Sequence, residues 1–299
     1  MISVLIPVYN TDVRALVKEL FVQLSSSGIK YEILLLDDGS DKIYIDCNAE
    51  CQFNENISLT ENGSNKGRIY TRNKLAAQAK YTWLLFLDAD CQIASSDFIA
   101  NYLGSLDKTS EVIYGGTNYL TTIPDDCRYR LHWQYARERV GITDAGHVKR
   151  KGFLFNNILI RKSFYHQLQF PESLNGYGHE DTWVGIQLDH LQANIQAIIN
   201  PVLHTELDTN ETFFQKHRSA LHKLKVLASI SSEKALARHV RIFRYYLHLQ
   251  KAGLQSSFYR TISLFEKGMK ANLFGCRPNL LLFDLLRLKM FISIMRNDK

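Results

Sequence analysis

The stretch Trp83-Leu-Leu-Phe-Leu-Asp-Ala-Asp90 joins a short apolar run to two carboxylates. Five consecutive apolar residues are typical of a strand that is buried on both faces of a parallel sheet. Residues 67–80, which precede this run, have the pattern of a helix, so the two together predict one unit of a βαβ fold. Asp88 and Asp90 then lie beyond the carboxyl end of the strand, where open α/β sheets bind their ligands.

The same alternation of strand and helix extends outward over the first hundred residues. Further strands are predicted at 2–8, 31–36 and 57–60, with another at 112–116. A helix is predicted after the first strand, with Asp12 as its N-cap. The second strand also ends in carboxylates, in Leu34-Leu-Leu-Asp-Asp-Gly-Ser40, so both acidic turns are expected to face one crevice.

The remainder of the chain predicts a less regular segment followed by helices. Residues 125–212 are mixed, with a strand at 195–199, and the pattern from residue 213 onward is helical. The 299 residues are enough for one large α/β core plus an appendage. We therefore predict an α/β domain over 1–212, with halves 1–116 and 117–212, and a helical C-terminal region over 213–299.

Charge is distributed unevenly between these two parts. Up to Thr212 there are 19 Lys and Arg against 26 Asp and Glu, a net charge of −7. From Phe213 onward there are 17 against 4, a net charge of +13. Nucleic-acid binders usually carry their positive charge on the folded body, so no nucleic acid is predicted as a partner. The basic region instead indicates an anionic membrane surface or a lipid-linked acceptor.

The cysteines and the apolar segments predict a cytoplasmic protein. The five cysteines are scattered, lack the spacing of a zinc site and are expected to be reduced thiols: Cys47, Cys51, Cys91, Cys127 and Cys276. The first strand begins at once, without a basic leader, so no cleaved secretion signal is expected. The apolar run 280–295 contains Asp284, Arg287 and Lys289, which favours a peripheral position at the inner face of a membrane over a span. Packing of this run onto the α/β domain or onto a second subunit is an equal alternative.

Asp88 and Asp90 have the chemistry of a divalent-metal site. Carboxylate oxygens are the ligands that Mg²⁺ and Mn²⁺ prefer, and such an ion offsets the charge of a diphosphate. An Asp-x-Asp pair alone is equally compatible with a solvated acidic turn. Tyr9 offers a ring on which a base can stack, Asp38 offers an acceptor for the imide of uracil, and Lys66 and Arg72 lie near a helix start suited to phosphates.

Five short motifs together make the sequence resemble a family 2 glycosyltransferase over about its first 210 residues. They are Ile6-Pro-Val-Tyr-Asn10, Asp37-Asp-Gly-Ser40, Asn65-Lys-Gly67 with Arg72-Asn73, Asp88-Ala-Asp90 and Gly178-His-Glu-Asp181. The resemblance implies a GT-A fold, which is a Rossmann-like nucleotide-binding sheet with helices on both faces, followed here by a helical extension. It implies that 1–116 bind the nucleotide sugar and that 117–212 bind the acceptor.

The resemblance also assigns roles to individual residues. The nucleotide sugar, with UDP favoured, would contact Pro7, Val8, Tyr9, Asn10, Asp38, Lys66, Arg72, Asp88 and Ala89. Mn²⁺ or Mg²⁺ would be bound by Asp88, Asp90 and His204, with a structural or surface role as the alternative for His204. Asp181 would be the catalytic base of an inverting transfer. The acceptor, a glycan or lipid-linked glycan of a bacterial surface, would contact Glu180, His179, Asn157 and Trp183, although packing roles remain open for the last three.

Two other functions compete with this hypothesis. A sugar nucleotidyltransferase shares the fold and the metal but usually opens with a glycine-rich phosphate loop, and Pro7-Val-Tyr-Asn10 has no glycine. An inactive scaffold that binds membranes or polyanions would be expected to have lost acidic motif positions, yet Asp38, Asp88 and Asp90 are present. Gln134-Tyr-Ala-Arg-Glu138 lacks the Trp of the family's processive synthases and precedes the predicted base, so a non-processive enzyme is predicted.

Overall fold

The protein divides into two compact units in a computed structural model that describes residues 1–141, 154–171 and 178–296. The first, here called the sheet unit, comprises Met1–Tyr119, Gly141–Pro171 and Gln187–Glu206. The second, the helical unit, comprises Leu120–Val140, Glu172–Ile186 and Leu207–Lys299. The predicted boundary after Thr212 between an α/β domain and a helical region stays a prediction.

The sheet unit is built on a seven-stranded sheet and a smaller three-stranded sheet. The strands are β1 (Ile2–Val8), β2 (Tyr31–Asp37), β3 (Ile57–Glu61), β4 (Trp83–Leu87), β5 (Cys91–Gln92), β6 (Val112–Tyr114), β7 (Thr117–Tyr119), β8 (Asn157–Arg161), β9 (Ile195–Ala197) and β10 (Val202–His204). The large sheet has the order β3-β2-β1-β4-β8-β6-β9. Its strands are parallel except β8, which runs antiparallel to both β4 and β6.

The helices of the sheet unit follow its strands along the chain. They are α1 (Arg14–Ser26), α2 (Lys42–Ala49), α3 (Arg68–Gln78), α4 (Phe98–Gly104) and the short α6 (Lys162–Tyr165), with α5 in the helical unit. The apolar spacing of α1 buries Leu16, Val17, Leu20 and Leu24 in the same core as β1 and β4. Burial of such aliphatic side chains, at about 1.5–3 kcal/mol each, is the main stabilising contribution to this layer.

The predicted α/β architecture is confirmed, with differences at the ends of elements. Helix α1 begins at Arg14, so Val13 and not Asp12 is its N-cap, although Asp12 Oδ1 still accepts a hydrogen bond from the Arg14 N–H at 3.0 Å. Strand β6 ends at Tyr114, before the predicted Gly116. At Gly115, a Cβ would lie 2.3 Å from the Tyr102 hydroxyl, so the chain leaves the strand where only glycine fits.

The helical unit is an assembly of α-helices around an apolar core. Its helices are α5 (Arg130–Tyr135), the first part of α7 (Glu180–His190), α8 (Asn210–Ile230), α9 (Glu233–His239), α10 (Arg241–Lys251), α11 (Gln255–Leu273) and α12 (Leu280–Arg296). Thr209 and Ser232 cap α8 and α9 through their hydroxyls. The core includes Phe213, Phe214 and Phe283.

The apolar run 280–295 forms most of α12 and packs inside the helical unit. Phe283, Leu286, Phe291 and Ile292 of this helix are buried. The packing alternative that the sequence left open therefore describes most of this run. Among the helices of the described residues, none combines the length and the apolar composition that a bilayer crossing requires.

The expectation that all five cysteines are reduced is wrong for two of them. Cys127, just before α5, and Cys276, in the turn between α11 and α12, form a disulfide within the helical unit. Cys47, Cys51 and Cys91 are free thiols. The two bonded residues lie 149 positions apart, and such a pairing depends on a tertiary contact that spacing does not reveal.

Candidate functional site

The loops after β1 and β2 are joined at the carboxyl edge of the sheet. The Asp38 N–H donates to the carbonyl of Val8 at 2.8 Å, and the Asn10 N–H donates to the Ser40 hydroxyl at 2.8 Å. Asn10, which has a positive φ of 48°, in turn accepts from the Asp41 N–H at 2.7 Å. Tyr9 lies beside these hydrogen bonds, and half of its surface is exposed to solvent. The predicted stacking residue is thus accessible and fixed at its backbone.

Asp38 is buried and anchors the loop before α3. Its Oδ1 accepts from the Asn62 side-chain amide and the Lys66 N–H, both at 2.9 Å. Its Oδ2 accepts from the Gly67 N–H at 2.8 Å. Since an ionised carboxylate has about four acceptor positions, one position on Oδ2 remains. The Lys66 side chain is exposed, so this residue reaches Asp38 through its backbone only.

Gly39 allows the turn after β2 to lie directly against the loop before α3. Its φ of 82° belongs to the left-handed region. A Cβ at this position would lie 2.6 Å from the backbone of Ser64 and Asn65. The Asp37 carboxylate closes the turn by accepting from the N–H groups of Gly39 and Ser40. Glycine is therefore required here for close approach as well as for conformation.

Arg72 and Asp88 form a partly buried ion pair beside the end of β4. Arg72 lies on α3, and its Nη2 is 2.8 Å from Asp88 Oδ1. Its guanidinium also lies over the ring of Phe155, at 5.0 Å from the centroid. The Nε of Arg72 is buried without a hydrogen-bond partner. Arg72 therefore pairs with Asp88, the first carboxylate of the acidic pair. Asp90, the second carboxylate, has a different partner.

Asp90 meets His204 across the three-stranded sheet. Strand β5 begins at Cys91, immediately after Asp90, and its register pairs Cys91 with His204 of β10. The Asp90 Oδ2 and His204 Nε2 atoms are consequently 3.1 Å apart. Burial opposes the charged imidazole, but the hydrogen bond and charge of Asp90 outweigh it and raise the pKa of His204. Burial likewise opposes the Asp90 anion, yet the contact with His204 lowers the pKa of Asp90.

The imidazole of His204 is positioned by its neighbours in the sheet unit. Its ring stacks on Tyr119 of β7 at a centroid distance of 5.3 Å. Its Nδ1 is buried and has no hydrogen-bond partner. Within the described ranges no three His, Cys, Asp or Glu side chains are gathered around a possible metal position. The structure thus brings together two of the three predicted metal ligands, Asp90 and His204, while Asp88 faces Arg72.

Three of the remaining predicted residues at the nucleotide are less accessible than Tyr9. Val8 is buried, whereas Pro7 and Ala89 are partly exposed at the ends of β1 and β4. Asn157, which was predicted at the acceptor, is fully buried in β8. Its amide donates to the carbonyls of Gly116 and Asn200 and accepts from the Tyr102 hydroxyl. These bonds place Asn157 in the core, in agreement with the packing role that the sequence left open.

The other predicted acceptor residues and the predicted base lie in the helical unit, at the start of α7. Gly178, with a φ of 108°, turns the chain so closely past α8 that a Cβ would lie 2.8 Å from Ala220. The carbonyl of His179 accepts from the Trp183 N–H at 3.0 Å. Glu180 is buried, with Oε2 accepting from the Gly178 N–H and Oε1 unpartnered. Asp181 follows in the first turn and is partly exposed.

A group of histidines lies in the helical unit, and the sequence singled out only His179 among them. His217 of α8 packs between the rings of Phe213 and Phe283, at 4.4 and 5.2 Å. Burial, followed by the charge of Arg287, lowers the pKa of His217 well below its ordinary range. The same two causes lower the pKa of His179 to about 4. His132 stacks on the ring of Phe213 at 4.5 Å and accepts from the Asp208 N–H through Nδ1.

Comparison with known proteins identifies the family of the sheet unit. Residues 3–168 match the family described as Glycosyl transferase family 2. A protein of Haemophilus influenzae described as an uncharacterized glycosyltransferase is 34% identical over 92 residues. That match covers 30% of this chain and 29% of the relative, so it spans less than a third of either protein.

Solved structures share the fold at low sequence identity. The mannosyltransferase PcManGT from Pyrobaculum calidifontis, solved in complex with GDP-Man and Mn²⁺, has a TM-score of 0.59 at 15% identity. It is matched over 100% of this chain and 88% of its own. S. aureus TarS 1-349 has a TM-score of 0.53 at 15% identity, over 100% of this chain and 92% of its own. Another TarS structure contains UDP-GlcNAc.

These matches confirm the predicted resemblance and the GT-A fold. The matched residues form a glycosyltransferase domain, and they include the acidic turns after β2 and β4. Because the match to the family model covers more than half of the sequence, this chain belongs to glycosyl transferase family 2.

Proposed function

We propose that this protein is a non-processive, inverting glycosyltransferase that uses a UDP-sugar and a divalent metal ion. The observation that carries the proposal is the pairing of Asp90 with His204 beside an Asp88 that Arg72 already neutralises. A carboxylate and an imidazole side by side suit a divalent cation that would also bind the diphosphate of the donor. Membership of the family supports the same chemistry.

The donor is proposed to bind at the joined loops after β1 and β2. Tyr9 offers an exposed ring for the base, and Asp38 retains one acceptor position that suits the imide N–H of uracil. Guanine also presents an N–H edge, and PcManGT was solved with GDP-Man, so the choice of UDP rests on Asp38 and on TarS, which was solved with UDP-GlcNAc.

The described residues fit a metal ion that is held partly by the protein and partly by the donor. Asp90 and His204 supply one carboxylate and one imidazole, and the buried Nδ1 of His204 leaves Nε2 directed at the carboxylate. Mn²⁺ accepts both ligand types, whereas Mg²⁺ prefers oxygen, which favours Mn²⁺. When bound, the ion would offset the charge that develops on the leaving diphosphate.

The acceptor side is proposed to use the first turn of α7. An acceptor hydroxyl attacks the anomeric carbon, the bond from that carbon to the diphosphate breaks, and the hydroxyl proton passes to the Asp181 carboxylate. Attack from the face opposite the leaving group inverts the anomeric configuration. Glu180, whose Oε1 is unpartnered, is proposed to hold a second hydroxyl of the acceptor once that turn opens.

The cellular role proposed here is synthesis of a bacterial surface glycan at the inner face of the membrane. One support is the strongly basic composition from Phe213 onward. The other is that TarS and the Haemophilus relative are bacterial proteins. A glycan built on a lipid carrier would place the acceptor at the membrane surface. The protein is proposed to be cytoplasmic and peripheral to that surface.

A screen of donor hydrolysis tests the proposed reaction. The full chain is incubated with UDP- and GDP-sugars in the presence of Mn²⁺, Mg²⁺ or a chelator, and released nucleotide is measured. We expect release from a UDP-sugar that depends on the metal. Release of pyrophosphate from a nucleoside triphosphate and a sugar phosphate would instead identify a nucleotidyltransferase. Absence of any metal-dependent binding of UDP in calorimetry would identify an inactive scaffold.

A further inference from the structure

The outer side of α11 exposes two large apolar side chains next to each other. Leu264 is 82% exposed and Phe265 is 62% exposed, although they lie in the middle of a 19-residue helix. The opposite side of α11 supplies Ile262, Met269 and Leu273 to the core of the helical unit. The two exposed residues are therefore not required for packing within the unit. Contact of these two side chains with water is unfavourable, and removal of their apolar surface from water would stabilise a complex.

Basic side chains flank this apolar pair on the helix surface. Arg260 lies one turn before Leu264 and Lys267 lies one turn after it, and both are exposed. Residues at these spacings are neighbours on one helix face. The nearby acid, Glu266, is engaged by Lys270 at 2.7 Å and by Lys289 of α12, so it does not cancel the charge of Arg260 and Lys267.

The positive charge continues through the preceding helix. Residues 234–265 contain six Lys and Arg and no Asp or Glu. On α10, Arg241 and Arg244 are exposed, and Tyr245, which follows Arg244, is 53% exposed. Leu254, in the turn between α10 and α11, is 51% exposed. Aromatic and aliphatic side chains among basic residues, without acids, are the composition of helices that bind the interface of an anionic membrane.

We propose that the outer face of α11 docks on an anionic membrane, with Leu264 and Phe265 inserted among the lipid headgroups. Arg260 and Lys267 would extend their aliphatic stems along the apolar pair and place their charges at the lipid phosphates. This inference rests on the peripheral membrane position that is part of the proposed function. It assigns that position to α11, since the more apolar α12 is buried in the helical unit.

The charge of the outer face of α11 favours binding to a membrane over binding to a second copy of the chain. A symmetric dimer through this face would bring the basic residues of two copies together, and like charges repel. The nearby Glu266 is already engaged by Lys270 and Lys289 and does not offset this repulsion. An anionic lipid surface has the complementary charge. Each basic residue near such a surface contributes about 1 kcal/mol of attraction, which salt weakens.

Sedimentation with vesicles tests the docking face. The full-length protein is mixed with vesicles of equal parts phosphatidylglycerol and phosphatidylcholine at about 0.05 M NaCl, where screening is weak. We expect binding that decreases as salt rises and that is absent with phosphatidylcholine alone. The variant Leu264→Ser/Phe265→Ser should bind about tenfold or more weakly, because the apolar contribution is lost. Arg260→Glu/Lys267→Glu should reduce binding similarly and remove much of its salt dependence.

A matched control uses another exposed aliphatic residue. Ile43 on α2 is 73% exposed, and its helix contains the acid Asp46. The variant Ile43→Ser should bind vesicles like the unmodified protein. Binding that is equally strong in the Leu264/Phe265 variant would overturn the proposal, as would failure of the unmodified protein to bind. A change from dimer to monomer on Leu264→Ser/Phe265→Ser in analytical ultracentrifugation would show that the face binds a second copy instead.

Failure of this inference is distinguishable from failure of the proposed reaction. The variant Asp90→Ala should lose metal-dependent UDP binding and still sediment with anionic vesicles. The Leu264/Phe265 variant should lose vesicle binding and still bind UDP with Mn²⁺. Loss of both properties in either variant, with an unchanged melting temperature, would contradict the assignment of membrane docking to α11 alone.

Discussion

The Oδ2 atom of Asp90 lies 3.1 Å from the Nε2 atom of His204, because β5 and β10 are neighbours in a three-stranded sheet. The pair is a consequence of register: Cys91 pairs with His204, so the residue just before β5 faces the last residue of β10. Each group changes the proton affinity of the other. The contact lowers the pKa of the carboxyl and raises that of the imidazole, against the opposing effect of burial on each.

Substitution of this pair should reduce the effect of Mn²⁺ on nucleotide binding by unequal amounts. Asp90→Ala removes a full negative charge, so we expect UDP affinity to become independent of the metal. His204→Ala removes a neutral donor and should weaken the dependence less. Titration calorimetry with UDP at several Mn²⁺ concentrations measures both. If His204→Ala leaves the metal dependence unchanged, His204 is a structural partner of Asp90 and not a ligand.

Asp181→Asn should abolish transfer while leaving UDP binding nearly intact. The amide keeps the shape of the side chain but cannot accept the acceptor proton, so kcat should decrease by a factor on the order of 10²–10⁴. Asp189→Asn, on the exposed last turn of the same helix, provides a matched control and should retain activity. An equal loss of UDP affinity and kcat in the Asp181 variant would rule out its assignment as the base.

Gly39→Ala and Gly63→Ala separate steric contact from backbone conformation. Both glycines have positive φ, at 82° and 67°, so alanine costs about 1–2 kcal/mol at either position. Only at Gly39 would the Cβ meet backbone, at 2.6 Å from Ser64 and Asn65, whereas nothing lies within 4 Å at Gly63. Urea unfolding should show a larger loss of stability for Gly39→Ala, with weaker UDP binding. Equal losses would contradict the close approach of the two loops.

The disulfide between Cys127 and Cys276 should stabilise the protein only under oxidising conditions. Closure of so long a loop contributes about 2–5 kcal/mol to the free energy of unfolding. Cys127→Ser should therefore lower stability without reductant and have little effect with it. Cys47→Ser, which replaces a free thiol, should show no such dependence on reductant. Mass spectrometry of the unfolded, alkylated protein should find three modified thiols, and five would contradict the bond.

Acidification should destabilise the helical unit through His179 and His217. Burial and Arg287 lower the folded-state pKa of His179 to about 4, against an ordinary value of 6.5. The unfolded chain therefore binds more protons between these values, so this contribution to stability is complete above pH 6.5 and is lost as pH falls towards 4. By about pH 5 the loss for His179 alone is about 2 kcal/mol.

Denaturant titrations near pH 7.5 and pH 5 measure this loss in the unmodified protein and in His179→Gln. The variant should lose less stability on acidification, because it has no imidazole to protonate. His217, whose pKa is also lowered by burial and by Arg287, His132 and His179, retains part of the effect in that variant. The same pH dependence in both proteins would contradict the lowered pKa of His179.

Local sequence patterns predicted most of the sheet unit. The apolar runs at 2–8 and 83–87 became strands with the predicted bounds, because residues in a parallel strand are buried on both faces and must nearly all be apolar. The acidic turns were predicted where β2 and β4 end, since burial of a carboxylate without a partner costs free energy. The resemblance of five short motifs to those of family 2 glycosyltransferases was enough to predict the family that the comparisons confirm.

Contacts between distant parts of the chain were decided only by the tertiary structure. The sequence left Asn157 open between an acceptor contact and a packing role, and only the tertiary structure shows its three buried hydrogen bonds to Tyr102, Gly116 and Asn200. It left the cysteines reduced, and folding joined Cys127 to Cys276. Local composition carries no information about such partners, because each depends on which elements become neighbours after the chain has packed.

The composition of this protein determined that its C-terminal part is basic and apolar, and the packing of the helices determined which of those residues meet water. The run 280–295 is the more apolar segment, yet α12 buries Phe283 and Phe291 while α11 exposes Leu264 and Phe265. Hydrophobic burial is non-directional, so an apolar helix packs against whichever neighbours the fold supplies. The exposed face was therefore fixed by tertiary packing and not by the hydrophobicity of any one segment.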